Sequence, residues 1–482
     1  MTKKTKNQSN EEDFEWYHDF LFFWQKNYAP VCRWVTDWTQ YVYYSPTGIY
    51  LPISMARVDE IIFNWMDQTK VVRTLTRLSL AHKSIQANQH FCANLKDFDA
   101  DLNIRNLTNG LLNLTTKKLT KHTATYLSLR QADVEFQPNH IEDETPCWIS
   151  MWHNFPKAMA YIEWHNRAII YNNMNDRLSL WLVGPRGAGK GSVLDVMDAW
   201  YHNESSFKPF EEIGESFGME PLLGQMQNIV KEGNPIRLTT TTVTRFKTIT
   251  GRDGTISVNR KGKPAVNYRF IPFFFSNAYN LLPSLPPNDI DAFLDRCIIA
   301  EFDQRSIQDP TFKDRLQLEK HIIFTQLVMI GYTPFFAKQM VVWKNGEPTV
   351  MLHHDYWIKV NHLLWDKWSN PVRSAVEFLF ERDPGTQRIP VDDVADLVTN
   401  QLTEDGTSIP VDKVFKTLIT KALAFLGIRK SHTGSNYYFA PIRLKNMAFN
   451  NDYIAEHPEN SKTDDPTCMI DPRSGGLDTF FH

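Results

Sequence analysis

A glycine-rich loop between an apolar run and an amphipathic run restricts the fold of this chain more than any other feature. The apolar run RLSLWLVG, which begins at Arg177, predicts a buried strand, and SVLDVMDAWY, which begins at Ser192, predicts a helix. Strand, glycine loop and helix in this order form the context of a phosphate-binding loop in an α/β core. The loop consists of Gly184, Pro185, Arg186, Gly187, Ala188, Gly189, Lys190, Gly191 and Ser192.

The residue types of this loop suit polyphosphate binding. Glycines let backbone N–H groups surround phosphate oxygens, and Lys190 brings a point charge to the β- and γ-phosphates. The next position usually carries a Ser or Thr that ligates Mg²⁺, but here it is Gly191, and the hydroxyl follows at Ser192. The ending resembles that of adenylate-kinase-type enzymes. We assign Mg²⁺ ligation to Ser192, directly or through water. The alternative is a glycine-rich turn with a solvated lysine.

Three polar residues downstream could complete a hydrolytic site. Glu232 follows the apolar run MQNIV and is the candidate for the base that polarises water and for a metal ligand. Asn277 follows the predicted strand Ile271–Phe275 and could hold the attacking water or the γ-phosphate. Arg296 precedes the predicted strand Cys297–Phe302 and could act as an arginine finger on a neighbour's nucleotide. The alternatives are a solvated glutamate, a capping asparagine and a local ion pair with Asp295 or Asp291.

A basic hairpin is the candidate nucleic-acid contact. The alternating stretches Thr255–Arg260 and Pro264–Phe270 flank a tight turn and predict two paired strands. Arg260, Lys261 and Lys263 would then lie at the tip, where cations suit a phosphate backbone. An ordinary solvated hairpin turn is the alternative.

Taken in order, these motifs resemble one family. The runs GPRGAGKGS, NIVKE, FKTITGRDG, FIPFFFSN and FLDRCIIAEF are similar to those of superfamily 3 helicases from phages, plasmids and large DNA viruses, including the poxvirus-type primase-helicase, within the AAA+ ATPases. The family's motifs A, B, B′ and C correspond to Gly184–Ser192, Ile229–Glu232, Lys247–Arg260 and Phe273–Asn277. Together with a similar upstream segment, the resemblance covers about residues 90–305.

The resemblance implies a replicative DNA helicase or initiator. It implies a hexameric ring that hydrolyses ATP with Mg²⁺ between subunits, grips single-stranded DNA with hairpin loops in a central channel and moves 3′ to 5′. The chain departs from the family at Gly191 and at Lys231, where a second acid is common. It shows no primase signature, so a separate primase or polymerase is an expected partner.

The C-terminal part is expected to form a winged-helix module that binds duplex origin DNA. Three short helical runs and an alternating stretch around Thr433-Gly434 indicate three helices and a hairpin. The nearby acids Asp392, Asp393 and Asp412 favour the alternative, a packing or protein-contact domain. The candidate DNA-binding cations of this module are Lys413, Lys416, Lys421, Arg429 and Lys430.

The predicted organisation is an AAA+ (P-loop) α/β core with a β-hairpin insertion, a mixed helical and hairpin N-terminal domain and the C-terminal winged-helix module. The boundaries are a disordered segment 1–12, an N-terminal domain 13–145, an ATPase domain 146–340, a connector 341–370, the winged-helix domain 371–445 and an acidic flexible tail 446–482.

Composition narrows the function further. The net charge is −3, so no global basic field indicates nucleic acid, although basic loops inside a ring do not need one. Five cysteines, an odd number without CxxC pairs, argue against a disulfide framework or a zinc site, and no signal peptide or membrane span is predicted. We expect the cytoplasm of a cell that hosts a phage, plasmid or other mobile element. Alternative functions are an origin-binding or scaffold protein with a decayed ATPase, and a nucleotide kinase.

Overall fold

The computed structural model describes residues 4–173, 177–234, 237–251, 254–270, 272–286, 289–303, 309–334, 340–344, 347–351, 353–382, 389–404, 413–433, 436–440 and 442–444. The predicted tail 446–482 lies outside the described residues. Within the described part, no helix is both long enough and apolar enough to cross a bilayer.

The N-terminal region combines three helices with a small sheet. The helices are α1 (Lys4–Asn27), α2 (Met55–Gln68) and α3 (Leu75–Ala87). The sheet has the order β3-β2-β1-β4 and is formed by β1 (Cys32–Val35), β2 (Gln40–Tyr44), β3 (Tyr50–Ile53) and β4 (Cys92–Ala93). Helix α1 begins inside the segment predicted to be disordered, so that prediction is wrong from Lys4 onward. Because residues 4–13 contain neither Pro nor Gly, the helix anchored by buried aromatics can extend backward over them.

A second antiparallel sheet connects this region to the centre of the molecule. It is formed by β5 (Ile104–Leu107), β6 (Gly110–Asn113) and β7 (Lys118–Thr120), and the two-residue turn Thr108-Asn109 joins β5 to β6. Arg105 on β5 forms an ion pair with Glu204 of the central region, and the two side chains are 4% and 1% exposed. The backbone N–H of Asp133 donates to the carbonyl of Trp200 over 2.6 Å. The segment before the nucleotide loop is therefore part of the same packed body.

A five-stranded parallel sheet confirms the α/β prediction. Its order is β14-β8-β13-β10-β9. Leu180 and Leu182 face one buried cluster, while Trp181 and Val183 face another, so β8 is covered on both sides as expected of a central parallel strand. The strands are β8 (Ser179–Val183), β9 (Ser205–Ser206), β10 (Gln227–Val230), β13 (Phe274–Tyr279) and β14 (Cys297–Glu301).

Helices and a strand pair surround this sheet. The helical segment Pro146–Ile170 is divided at Phe155-Pro156, because a proline cannot continue a helix's hydrogen bonding. The strands β11 (Ile256–Arg260) and β12 (Lys263–Tyr268) pair antiparallel, as predicted. The helices are α4 (Pro146–Asn154), α5 (Pro156–Ile170), α6 (Lys190–Tyr201), α7 (Thr240–Gly251), α8 (Ile290–Leu294), α9 (Phe312–Leu318) and α10 (Lys320–Ile330).

The C-terminal region contains a small helical core. Helices α12 (Pro371–Leu379), α13 (Val391–Glu404) and α14 (Lys413–Phe425) share a buried cluster. Helix α11 (His353–Ser369) joins it to the central sheet, since the indole of Trp357 donates to the carbonyl of Cys297 over 2.9 Å. The strands are β15 (Met340–Lys344), β16 (Glu347–Met351), β17 (Phe380–Arg382), β18 (Ile389–Pro390), β19 (Arg429–Thr433), β20 (Asn436–Ala440) and β21 (Ile442–Leu444).

Candidate nucleotide-binding site

The loop Gly184–Ser192 joins the carboxyl end of β8 to the first turn of α6. Gly184 has φ +150°, and a Cβ there would lie 2.2 Å from the carbonyl oxygen of Phe302 on the neighbouring chain segment. Gly189 has φ +96° and directly precedes the helix. Both positions therefore require glycine, and the chain reverses tightly enough to aim the first N–H groups of α6 into the space above the sheet.

Lys190 is buried at the centre of the loop. Its Nζ donates to the carbonyl oxygens of Gly184 over 2.6 Å and Pro185 over 2.7 Å, and to Oδ1 of Asn280 over 3.0 Å. The ammonium group is thus fixed between the loop and the end of β13. A buried ammonium held in place by carbonyl and amide oxygens is well suited to compensate an anionic ligand.

The loop forms one wall of a cavity of about 1290 Å³. Helix α4, the ends of β10 and β13, and helix α9 form the other walls. This volume exceeds that of ordinary small-molecule pockets and leaves room for a nucleoside triphosphate. Among the residues that the structure describes, five cationic and three acidic side chains line the cavity, an excess of two positive charges: Arg186, Lys190, Lys231, Lys313 and Arg315 against Asp195, Glu232 and Asp309.

Glu232 lies where the sequence predicted. It is exposed just beyond the end of β10 and lines the same cavity as Lys190. The preceding residue, Lys231, turns towards α6 and donates to Asp195 over 2.6 Å and to Asp198 over 2.7 Å. Burial alone would lower the pKa of Lys231, but the two carboxylates outweigh it and raise this pKa. Lys231 therefore remains a cation bound to α6.

The expected position of Asn277 is wrong. Strand β13 runs from Phe274 to Tyr279, so Asn277 is a mid-strand residue paired in register with Trp181 and Val230. Its side chain is fully buried, and its amide atoms have no hydrogen-bond partner among the described residues. The strand continues because Ala278 and Tyr279 are also buried. Asn280 is the amide at the strand end, where it binds Lys190.

Arg296 lies at the opposite edge of the sheet. It precedes β14, whose first residue pairs with Ser179 at the start of β8, whereas the loop follows the end of β8. Five strand residues separate these edges, about 17 Å at about 3.3 Å per residue. The guanidinium donates to the carbonyl of Ala292 and lies 3.6 Å from the carboxylate of Asp295. Arg296 therefore does not reach the nucleotide cavity of its own chain.

The basic hairpin is only partly exposed. Arg260 is 5% exposed and donates to the carbonyls of Trp38 over 3.1 Å and Pro264 over 2.8 Å. Its predicted place among free cations at the tip is therefore wrong, because the N-terminal region supplies an acceptor that the local sequence does not show. Lys261 and Lys263 remain exposed.

The candidate DNA-binding cations of the C-terminal region also differ in their exposure and ion pairing. Lys416 forms an ion pair with Asp392, which the sequence had marked as a competing acid. Lys421 is exposed on α14. The side chains of Lys413, Arg429 and Lys430 lie outside the described residues, so their predicted contacts with DNA stay predictions.

Several cavity residues were not found from the sequence. Asn280, Asp195, Lys313 and Arg315 line the cavity, as do residues of α4. The two apolar residues after Asn277 were a usable signal for Asn280, since they indicate a longer strand. No local pattern could reveal that α4 and α9, about 165 residues apart, meet across the loop. Glu319, which directly follows α9, accepts hydrogen bonds from the N–H groups of Cys147 and Trp148 and so joins the two helices.

Comparison with protein families gives two matches. Residues 17–155 match the family described as D5 N terminal like, and residues 182–296 match a family of unknown function, DUF5906. The second match begins in β8 and ends at Arg296, so it spans the loop, Glu232 and the hairpin. The first supports, at the level of the family, the resemblance to phage and viral primase-helicases.

Comparison with solved structures gives weaker similarities. The apo structure of the NrS-1 C-terminal region shares 11% identity over 85% of this chain and 95% of that one, with a TM-score of 0.40. JCV helicase bound to a small acetamide compound shares 14% identity over 48% and 62% of the two chains, with a TM-score of 0.27. Such scores carry no weight for the fold or function of this chain. No curated protein matches it.

Proposed function

We propose that this protein is an ATP-driven DNA helicase of a phage or plasmid type of replication system. The main support is that Lys190, Asn280 and Glu232 line one cavity together with the loop Gly184–Ser192. A fixed cation, an amide at a strand end and an exposed carboxylate are the groups that bind a triphosphate and orient a water for hydrolysis. The match of residues 17–155 to the D5 N-terminal family supports a role in replication.

The finer assignments follow from the resemblance to superfamily 3 helicases. The AAA+ core would assemble as a hexameric ring, with single-stranded DNA in its channel and movement 3′ to 5′. Arg296 lies too far from its own cavity to contact a nucleotide there, so a role as an arginine finger would require the nucleotide of a neighbouring subunit, as in a ring. Lys261 and Lys263 would contact the DNA backbone, and the C-terminal three-helix unit would bind duplex origin DNA as a winged helix.

The test is ATP hydrolysis with and without single-stranded DNA. We expect DNA to stimulate turnover, and Lys190→Ala to lower it by at least about 100-fold because the phosphate-binding charge is lost. Lys208→Ala is a matched control, since Lys208 pairs with Glu212 away from the cavity. Unchanged turnover in Lys190→Ala would show that the site is assigned wrongly.

A second candidate is an origin-binding or scaffold protein that binds nucleotide without turning it over. It is favoured by two observations, the glycine at position 191 and the attachment of Lys231 to Asp195 and Asp198. DNA binding together with ATP binding but no hydrolysis would support this candidate over the motor.

A further inference from the structure

The cavity offers few ligands for a protein-held metal ion. Gly191 occupies the place of the usual hydroxyl, and a Cβ added there would meet nothing within 4 Å. Ser192 lies one residue further along α6, about 100° around the helix, and lines the same cavity. Position 191 therefore lacks the hydroxyl oxygen that usually ligates Mg²⁺.

The carboxylates near the loop are also engaged. Asp195 accepts hydrogen bonds from Lys231 on one oxygen and is paired with Lys313 on the other. Asp198 is shared by Lys231 and His202. Across the described segments, no three His, Cys, Asp or Glu side chains stand close enough together to hold a metal. Glu232 and Ser192 alone do not fit a protein-held Mg²⁺ site, since that ion prefers octahedral oxygen ligation.

Cations surround the same space. Lys190 is fixed in the loop, while Lys313 and Arg315 project from α9 with side chains 55% and 53% exposed. Because both side chains are about half exposed, moving them from Asp195 and Asp309 to a phosphate costs little, and Asp195 then still keeps its ion pair with Lys231. Arginine and lysine clamps compensate polyphosphate charge as metal ions do.

We propose that this cavity binds a nucleoside triphosphate with an affinity that hardly depends on Mg²⁺, because Lys190, Lys313 and Arg315 supply the compensating charge. The proposal rests on the nucleotide site of the proposed function and concerns binding, not hydrolysis. Any Mg²⁺ would then arrive with the nucleotide and be held by its phosphates and water.

Calorimetric titration of the full chain with ATP, once with excess Mg²⁺ and once with EDTA, tests this directly. We expect the two dissociation constants to agree within about threefold. If EDTA weakens binding by more than about tenfold, the Mg²⁺ independence is overturned while the nucleotide site stands. If ATP binds in neither buffer, the site itself is wrong, and the proposal falls with it.

A double variant tests the source of the charge. Lys313→Ala with Arg315→Ala is expected to weaken ATP binding in EDTA by more than about tenfold, and by less when Mg²⁺ is present. Lys208→Ala, which removes a paired lysine outside the cavity, is expected to bind as the original chain does. A melting curve shows that the double variant is folded. Unchanged affinity in EDTA overturns the assignment to α9.

Discussion

The nucleotide cavity and the β11–β12 hairpin were both expected to present cations. The cations of the two regions differ in where their hydrogen-bond partners lie along the chain. In the cavity, two of the hydrogen-bond acceptors of Lys190 are the carbonyls of Gly184 and Pro185 in its own loop, and Asn280, 90 residues later, adds to them. On the hairpin, Arg260 turns inward to the carbonyl of Trp38, 222 residues earlier in the chain. A cation whose partners are local can be assigned from a motif, whereas one with a distant partner cannot.

Because Asn280 and not Asn277 contacts Lys190, we expect Asn280 to contribute more to ATP turnover. We expect Asn280→Ala to lower ATP turnover by about 100-fold, because it removes the amide beside Lys190. Asn277→Leu replaces buried amide atoms, which have no hydrogen-bond partner in the described part of the chain, by an apolar group of similar size, so we expect turnover and stability to be retained. Steady-state kinetics and thermal melting check both variants. The reverse pattern would restore the sequence-based assignment of Asn277.

The hairpin can be divided into an anchor and a contact surface. We expect Arg260→Ala to lower the free energy of unfolding by about 1–3 kcal/mol, because the buried side chain and its hydrogen bonds to the carbonyls of Trp38 and Pro264 are lost. Urea denaturation measures this change. Unaltered stability together with weaker DNA binding would mean that Arg260 contacts DNA after all.

The exposed lysines should behave in the opposite way. Lys263→Ala is expected to leave stability unchanged and to reduce the slope of log binding constant against log salt by about 0.7 on single-stranded DNA. Fluorescence anisotropy at several salt concentrations gives that slope, and Lys208→Ala serves as a charge-matched control. Equal slopes for the two variants would place the DNA elsewhere.

The smallest effect is expected inside the loop itself. Gly191 lies in the first turn of α6 with open space around its missing side chain. Gly191→Ala should therefore stabilise the chain by about 0.5–1 kcal/mol through a smaller loss of backbone entropy. Differential scanning calorimetry provides the comparison. A lower melting temperature would show that the turn needs glycine here too.

The distinction between local and distant contacts also explains which parts of the fold and of the site could be predicted from the sequence. The parallel α/β core, the loop, Glu232 and the strand pairs β2–β3, β5–β6 and β11–β12 follow from apolar periodicity and turn residues, which act over short distances. The end of β13 was placed too early, because Ser276 and Asn277 are polar but buried, and His165 on α5 supplies a partner for Ser276 over 3.0 Å. The α4 and α9 walls depend on tertiary packing.

The buried ion pair between Arg105 and Glu204 restricts where the chain can be cut into fragments and where its gene can recombine. A fragment that began at residue 146 would retain Glu204 without its guanidinium, and an unpaired buried charge costs about 3–5 kcal/mol. An exchange of genetic material that joined a foreign upstream segment to this core would meet the same penalty unless it brought its own arginine. The segment from β5 onward and the nucleotide-binding sheet should therefore be transmitted between genomes as one unit.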